Sequence, residues 1–191
     1  GSLVIENGSF NNNGLIPDPD QLVTTGTTEF GGAIYSRGDL VVKGALFNAN
    51  EAFAGGAIAA TAGSLYVANA TFEGNAAERA GAIYTLVPTT IVASSFTNNK
   101  AEATGYASKN ITGGAIYARE EIVFEMDSES DSTLAVSFVG NVAEVAGALY
   151  AEKGFSVKGD LIAMNNSALN NERYATEVEN NYGAIYAGGA V

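Results

Sequence analysis

Four acidic residues alternate with other residues at Glu125, Asp127, Glu129 and Asp131. Carboxylates at that spacing can chelate a hard cation such as calcium. The run lacks the central glycine and the closing bidentate glutamate of a calcium loop, so a solvated acidic loop is the simpler reading. Asp18, Asp20 and Glu29 form a weaker acidic group. The other chemistry-bearing element is Arg37-Gly38-Asp39, a tripeptide of the kind integrins recognise. Its glycine also has a structural reason to be there, because Gly63 and Gly154 hold the matching turn in other repeats. Lys158-Gly159-Asp160 aligns with Lys43-Gly44-Ala45 and reads as scaffold.

The chemistry that is missing is as informative. The 191 residues include no His and no Cys. That removes serine–histidine triads, cysteine nucleophiles and the usual zinc ligands. There is no phosphate-binding loop and no dinucleotide fingerprint. The expectation is a protein that is not an enzyme and takes no cofactor. One enzymatic alternative stays open: a carbohydrate-active β-helix, in which an acidic cluster would converge with Arg79, Arg119 or Arg173. A net charge of −12 disfavours nucleic acid, which needs a basic footprint, and anionic lipid.

Two phrases alternate along the chain and set its elements. One is Gly-Ala-Ile/Leu-Tyr or close to it, beginning at Gly32, Gly56, Gly81, Gly114, Gly147 and Gly183, with Ile34, Ile58, Ile83, Ile116, Leu149 and Ile185 two residues on. The other is Phe-x-x-Asn, at Phe10–Asn13, Phe47–Asn50, Phe72–Asn75, Phe96–Asn99 and Phe138–Asn141, with Ile162–Asn165 as a degenerate copy. Gly32 to Phe47 is 15 positions and Phe47 to Gly56 is 9, so the unit is 24–25 residues. That is too short for a packed helix pair. Four gaps are longer, by 13, 9, 9 and 12 residues, and read as loops inserted at turns. They span about 14–28, 100–112, 125–133 and 167–180.

Within the unit the apolar period is two: Leu40/Val42, Ile122/Phe124, Phe155/Val157, then Ala45/Phe47 and Val136/Phe138. Each unit reads as two strands, a third short strand and turns. Such a unit cannot bury its own apolar side, but stacked copies bury a continuous column. The expectation is an all-β chain, a parallel β-solenoid of about six coils. The repeated Asn falls at one corner, where it tolerates the left-handed conformation and can bond along the axis. Alternation turns the tyrosines Tyr35, Tyr84, Tyr117, Tyr150 and Tyr186 outward, as a sheet-stabilising ladder or a sticky face. Gly1-Ser2 reads as a cloning remnant, and 3–191 as one β-helix segment of a longer protein. Cut solenoid ends expose strand edges, so self-association is a further expectation.

The alternating phrases resemble the polymorphic outer-membrane protein repeat of chlamydial autotransporters. Gly31-Gly32-Ala33-Ile34, Gly55-Gly56-Ala57-Ile58 and Gly113-Gly114-Ala115-Ile116 match in full, whereas Ala80, Ala146 and Tyr182 replace the first glycine elsewhere. The chain departs from chlamydial members, which often carry Cys near these repeats. The resemblance implies a right-handed parallel β-helix and a passenger region on the bacterial surface, outer membrane or secreted. It implies adhesion to a host cell, through a host-cell protein or glycan, and a membrane-anchoring barrel outside this chain; an integrin is a partner suggested by Arg37-Gly38-Asp39 and not by the resemblance. The alternative is a structural spacer that holds another domain away from the cell.

Overall fold

The structure, a computed structural model, describes residues 1–14, 30–102, 111–127, 135–169 and 183–189. The chain opens with β1 (Leu3–Glu6) and β2 (Ser9–Asn11). A full coil follows: β3 (Ile34–Ser36), β4 (Leu40–Lys43), β5 (Leu46–Asn48) and β6 (Glu51–Ala54). The next is β7 (Ile58–Ala60), β8 (Leu65–Ala68), β9 (Thr71–Glu73) and β10 (Ala76–Arg79). Then come β11 (Ile83–Thr85), β12 (Thr89–Val92), β13 (Ser95–Thr97) and β14 (Lys100–Ala101). The fourth is β15 (Ile116–Ala118), β16 (Ile122–Glu125), β17 (Val136–Val139) and β18 (Val142–Ala143). The fifth is β19 (Leu149–Ala151), β20 (Phe155–Lys158), β21 (Leu161–Met164) and β22 (Ser167–Ala168), before β23 (Ile185–Ala187).

Like strands of successive coils pair in parallel, giving three six-stranded sheets and one of five, each running the length of the stack. This is a parallel β-helix. Each coil carries four strands, one more than the alternation suggests. The unforeseen strand follows the repeated Asn in Ala- and Glu-rich sequence such as Glu51–Ala54 and Ala76–Arg79. Its intrinsic β preference is weak, and pairing with the coils on either side makes it a strand.

Inward residues form columns. Ile34, Ile58, Ile83, Ile116 and Leu149 share one register. Phe10, Phe47, Phe72, Phe96 and Phe138 stack with centroids 4.7–5.0 Å apart and planes within 14°. That spacing is the strand separation of a sheet, so rings in register must stack. The phenylalanine column ends where Phe138 meets Ala163. The degenerate copy is therefore Ala163 to Asn166, and Ile162–Asn165 is one residue out of register.

The corner after each Phe is built from asparagine amides. The Asn50 Oδ1 accepts the backbone N–H and the Nδ2 of Asn13, while the Asn50 Nδ2 donates to the Phe10 carbonyl and to Asn75 Oδ1. Asn75, Asn99 and Asn141 repeat the pattern, and Asn166 ends it. Asn50, Asn75, Asn99 and Asn141 are fully buried. Each uses both amide hydrogens and accepts two bonds, so burial leaves nothing unpaired. The left-handed residue is not this Asn but the one before it: Asn12, Ala49, Gly74, Asn98, Gly140 and Asn165 all have φ between 52° and 66°. Asn165 thus supplies the turn and Asn166 the ladder.

The glycine of the other phrase answers to sterics. A Cβ at Gly81 would overlap the Gly114 carbonyl oxygen, and one at Gly114 would overlap that of Gly147. The residue before it is left-handed whether glycine (Gly113, φ 67°) or alanine (Ala80, φ 57°).

Truncating Asn99 to Ala strips partners from the buried Asn75 amide, the Phe72 carbonyl and Asn141 Oδ1. Urea unfolding is expected to show a loss of about 3–5 kcal/mol, with a smaller loss for Asn166→Ala at the end of the ladder. Gly81→Ala should cost about 3 kcal/mol by overpacking. Ala80→Gly should be neutral or stabilise by up to about 1 kcal/mol, because left-handed strain is released.

Candidate functional site

Outward side chains of the first face make a second column. Tyr84 and Tyr117 stack at 5.0 Å, Tyr117 and Tyr150 at 5.6 Å, and Tyr150 and Tyr186 at 4.5 Å. In the second coil Ala59 takes the tyrosine position, in register with Tyr35 and Tyr84. Phe30 fills the place, its ring 5.6 Å from Tyr35 and 5.9 Å from Tyr84. The column is less open than alternation suggests. Tyr35 is 48% exposed, but Tyr84 is only 7% exposed among Phe30, Phe53, Leu86 and Tyr117. Face-to-face stacking leaves mainly ring edges and hydroxyls for a partner.

Beside this column lies a pocket of about 220 Å³ lined by Arg79, Thr112, Tyr117, Tyr150 and Glu152. The stacking of coils assembles it. Arg79 closes β10, and Thr112 bridges to Val145. Both stand two residues before a repeat glycine, so consecutive coils set them in one column. Tyr117 and Tyr150 lie in register on β15 and β19, and Glu152 follows β19. The Tyr117 hydroxyl donates to Glu152 Oε1. Burial, first, and then this bond and the carboxylate charge push the Tyr117 phenol well above its ordinary 10.0, against a smaller opposing effect of Arg79. Thr112 is 8% exposed, and its Oγ1 is buried without a hydrogen-bond partner.

Of the residues singled out from sequence, Arg79, Tyr117 and Tyr150 line this pocket, and the tripeptide and the acidic run do not. Arg37-Gly38-Asp39 forms the turn between β3 and β4. Ser36 Oγ donates to the Gly38 carbonyl and accepts the Gly38 N–H, while Asp39 accepts from Ser64 Oγ at 2.9 Å. Arg37 and Asp39 are exposed, but the tripeptide is a tight corner and not a projecting loop. Glu125 pairs with Lys158 at 2.9 Å, and Asp127 accepts from Asn69 at 3.0 Å. Glu129 and Asp131 lie outside the described residues, as do most of the four inserted loops, Asp18, Asp20, Glu29 and Arg173. Among the described residues no cluster of three or more His, Cys, Asp or Glu has metal-binding geometry. Lys158 shares its column with Lys43, in agreement with the scaffold reading of Lys158-Gly159-Asp160.

Arg79 lines the pocket together with the Glu152 carboxylate, whereas Arg119 is exposed and is not among the described lining residues. Glycoside hydrolysis ordinarily needs two carboxyl groups flanking the bond, and among the described residues this lining contains one, that of Glu152. Thr112 and Glu152 escaped sequence reasoning. Their signal was available in the repeat phase, at two residues before and five after the glycine.

Residues 93–119 match the family model described as the Chlamydia polymorphic membrane protein (Chlamydia_PMP) repeat. The matched stretch runs from the corner before Phe96 through Gly113-Gly114-Ala115-Ile116-Tyr117, so it contains both alternating phrases and part of the pocket. The chain therefore carries a repeat of the chlamydial polymorphic membrane protein type. No curated protein and no solved structure matches it.

The raised phenol has a sign that can be checked. The fold favours protonated Tyr117, so its contribution to stability is complete below about pH 10, the unfolded value. It is lost as pH rises from there towards the higher folded value. Removing the carboxylate in Glu152→Gln should lower the pH at which Tyr117 ionises, read as the phenolate absorbance difference against Tyr117→Phe.

Proposed function

We propose that this chain is a surface-displayed, non-catalytic binding segment of a bacterial surface protein, of the autotransporter passenger kind, which contacts a host-cell protein or glycan. The match of residues 93–119 to the polymorphic membrane protein repeat carries this reading. The architecture supports it. Six-stranded parallel sheets and two aromatic columns make a stiff rod, about 4.8 Å longer per coil. A rod of this kind holds side chains at fixed spacing along its length.

Loop placement supports it too. Three of the four insertions join the chain at the corner leading into the tyrosine face, before β3, β15 and β23, and the fourth lies between β16 and β17. The polar pocket lies on the face that this corner leads into. Among the described residues no helix is long and apolar enough to cross a membrane. The edge strands leave Leu3, Val4, Ile162 and Met164 exposed, and contact between copies through these edges fits the same reading.

Saturable binding of the purified chain to cultured epithelial cells is the expected result. Asp39→Glu should leave it unchanged, because the tripeptide is held in a tight turn. Loss in that variant would instead make Arg37-Gly38-Asp39 the ligand. A folded chain without saturable binding would return the spacer reading.

A further inference from the structure

We propose that the pocket lined by Arg79, Thr112, Tyr117, Tyr150 and Glu152 is a saccharide subsite that takes one neutral pyranose ring. This deepens the binding reading above and rests on it for the source of the sugar.

The lining sets the chemistry. Among the described residues a guanidinium, a carboxylate and three hydroxyls surround about 220 Å³, with the tyrosine rings as the largest apolar groups. Sugar hydroxyls donate to a carboxylate and accept from a guanidinium, and such charge-assisted bonds are the strong ones. An anion would sit against Glu152 in a chain of net charge −12, and a cation would sit against Arg79. The volume falls short of the roughly 300 Å³ at which drug-sized pockets begin, which suits a single ring and not a disaccharide. The tyrosine faces are occupied by one another, at 5.6 Å between Tyr117 and Tyr150. Recognition therefore falls to hydrogen bonds at the pocket edge, and affinity for a monosaccharide is weak.

Thr112 is the second observation. Its Oγ1 is buried without a partner, an arrangement that costs stability and that a valine of the same shape would avoid. No hydrogen bond holds that hydroxyl in place. A χ1 turn, which threonine makes between accessible wells, would present it to a ligand in the pocket that Thr112 lines.

The test follows the ring resonances of Tyr117 and Tyr150, which line the pocket in the parent chain and in both variants, during titration of the whole chain with methyl glucoside, galactoside and mannoside, with sodium phosphate and glycine as the anion and zwitterion arms. A saturable shift with at least one glycoside is expected, weakened about tenfold or more in Thr112→Val and in Glu152→Gln. The Thr112→Val chain should also melt at a higher temperature. No saturable shift with any glycoside, or saturation by phosphate or glycine alone, would overturn the proposal. A lower melting temperature for Thr112→Val would overturn the role assigned to its hydroxyl. Glycoside binding without cell binding would sink the adhesive reading and leave the pocket standing, and cell binding without glycoside binding would do the reverse.

Discussion

Four asparagine side chains in the interior of this rod have no hydrogen-bonding capacity left over. Asn50, Asn75, Asn99 and Asn141 each bond the coil on either side, and each is closed off from water. A buried carboxamide is costly unless all its groups are paired. Only one axial register pairs them all, so the ladder turns a general tendency to stack into one specific alignment. A coil displaced by a single residue would bury amide groups without partners.

The remaining packing depends on that register. Phenylalanines land on phenylalanines and isoleucines on isoleucines because the corner beside them is pinned. At the opposite phrase the backbones approach so closely that a Cβ at Gly81 or Gly114 has no room. These two corners, one polar and one bare, define the coil between them. Insertions are tolerated elsewhere because they leave both intact. The pocket follows from the same logic. Tyr150 and Glu152 share one coil, Arg79, Thr112 and Tyr117 come from earlier in the chain, and they meet only because equal repeat phases become neighbours. The site is thus a product of stacking, and no single repeat contains it.

The solenoid, the unit length and the inward columns are legible in the sequence, since period-two alternation and equal spacing report directly on strands in register. Four features are not. The strand after each Asn is Ala- and Glu-rich, and its neighbours, not its own residues, make it extended. The left-handed position precedes the ladder Asn, and because Asn occurs at both positions in the Asn165-Asn166 pair, spacing alone sets the degenerate coil one residue early. Tyr84 is buried although alternation turns it outward, because Phe30 closes over the gap that Ala59 leaves. The unpaired Thr112 hydroxyl is illegible for a different reason: repeat phase places the residue, but a hydroxyl without a partner is a property of its surroundings.

Asparagine amides that bind coil to coil throughout the rod are the central claim. Hydrogen exchange of the side-chain Nδ2 protons, resolved by NMR, addresses it most directly. The Nδ2 protons of Asn50, Asn75, Asn99 and Asn141 should exchange as slowly as the backbone amides of the phenylalanine strands, with Asn13 faster. Exchange of the interior four at the rate of an exposed asparagine such as Asn11 would contradict the ladder, and with it the physical basis of the register.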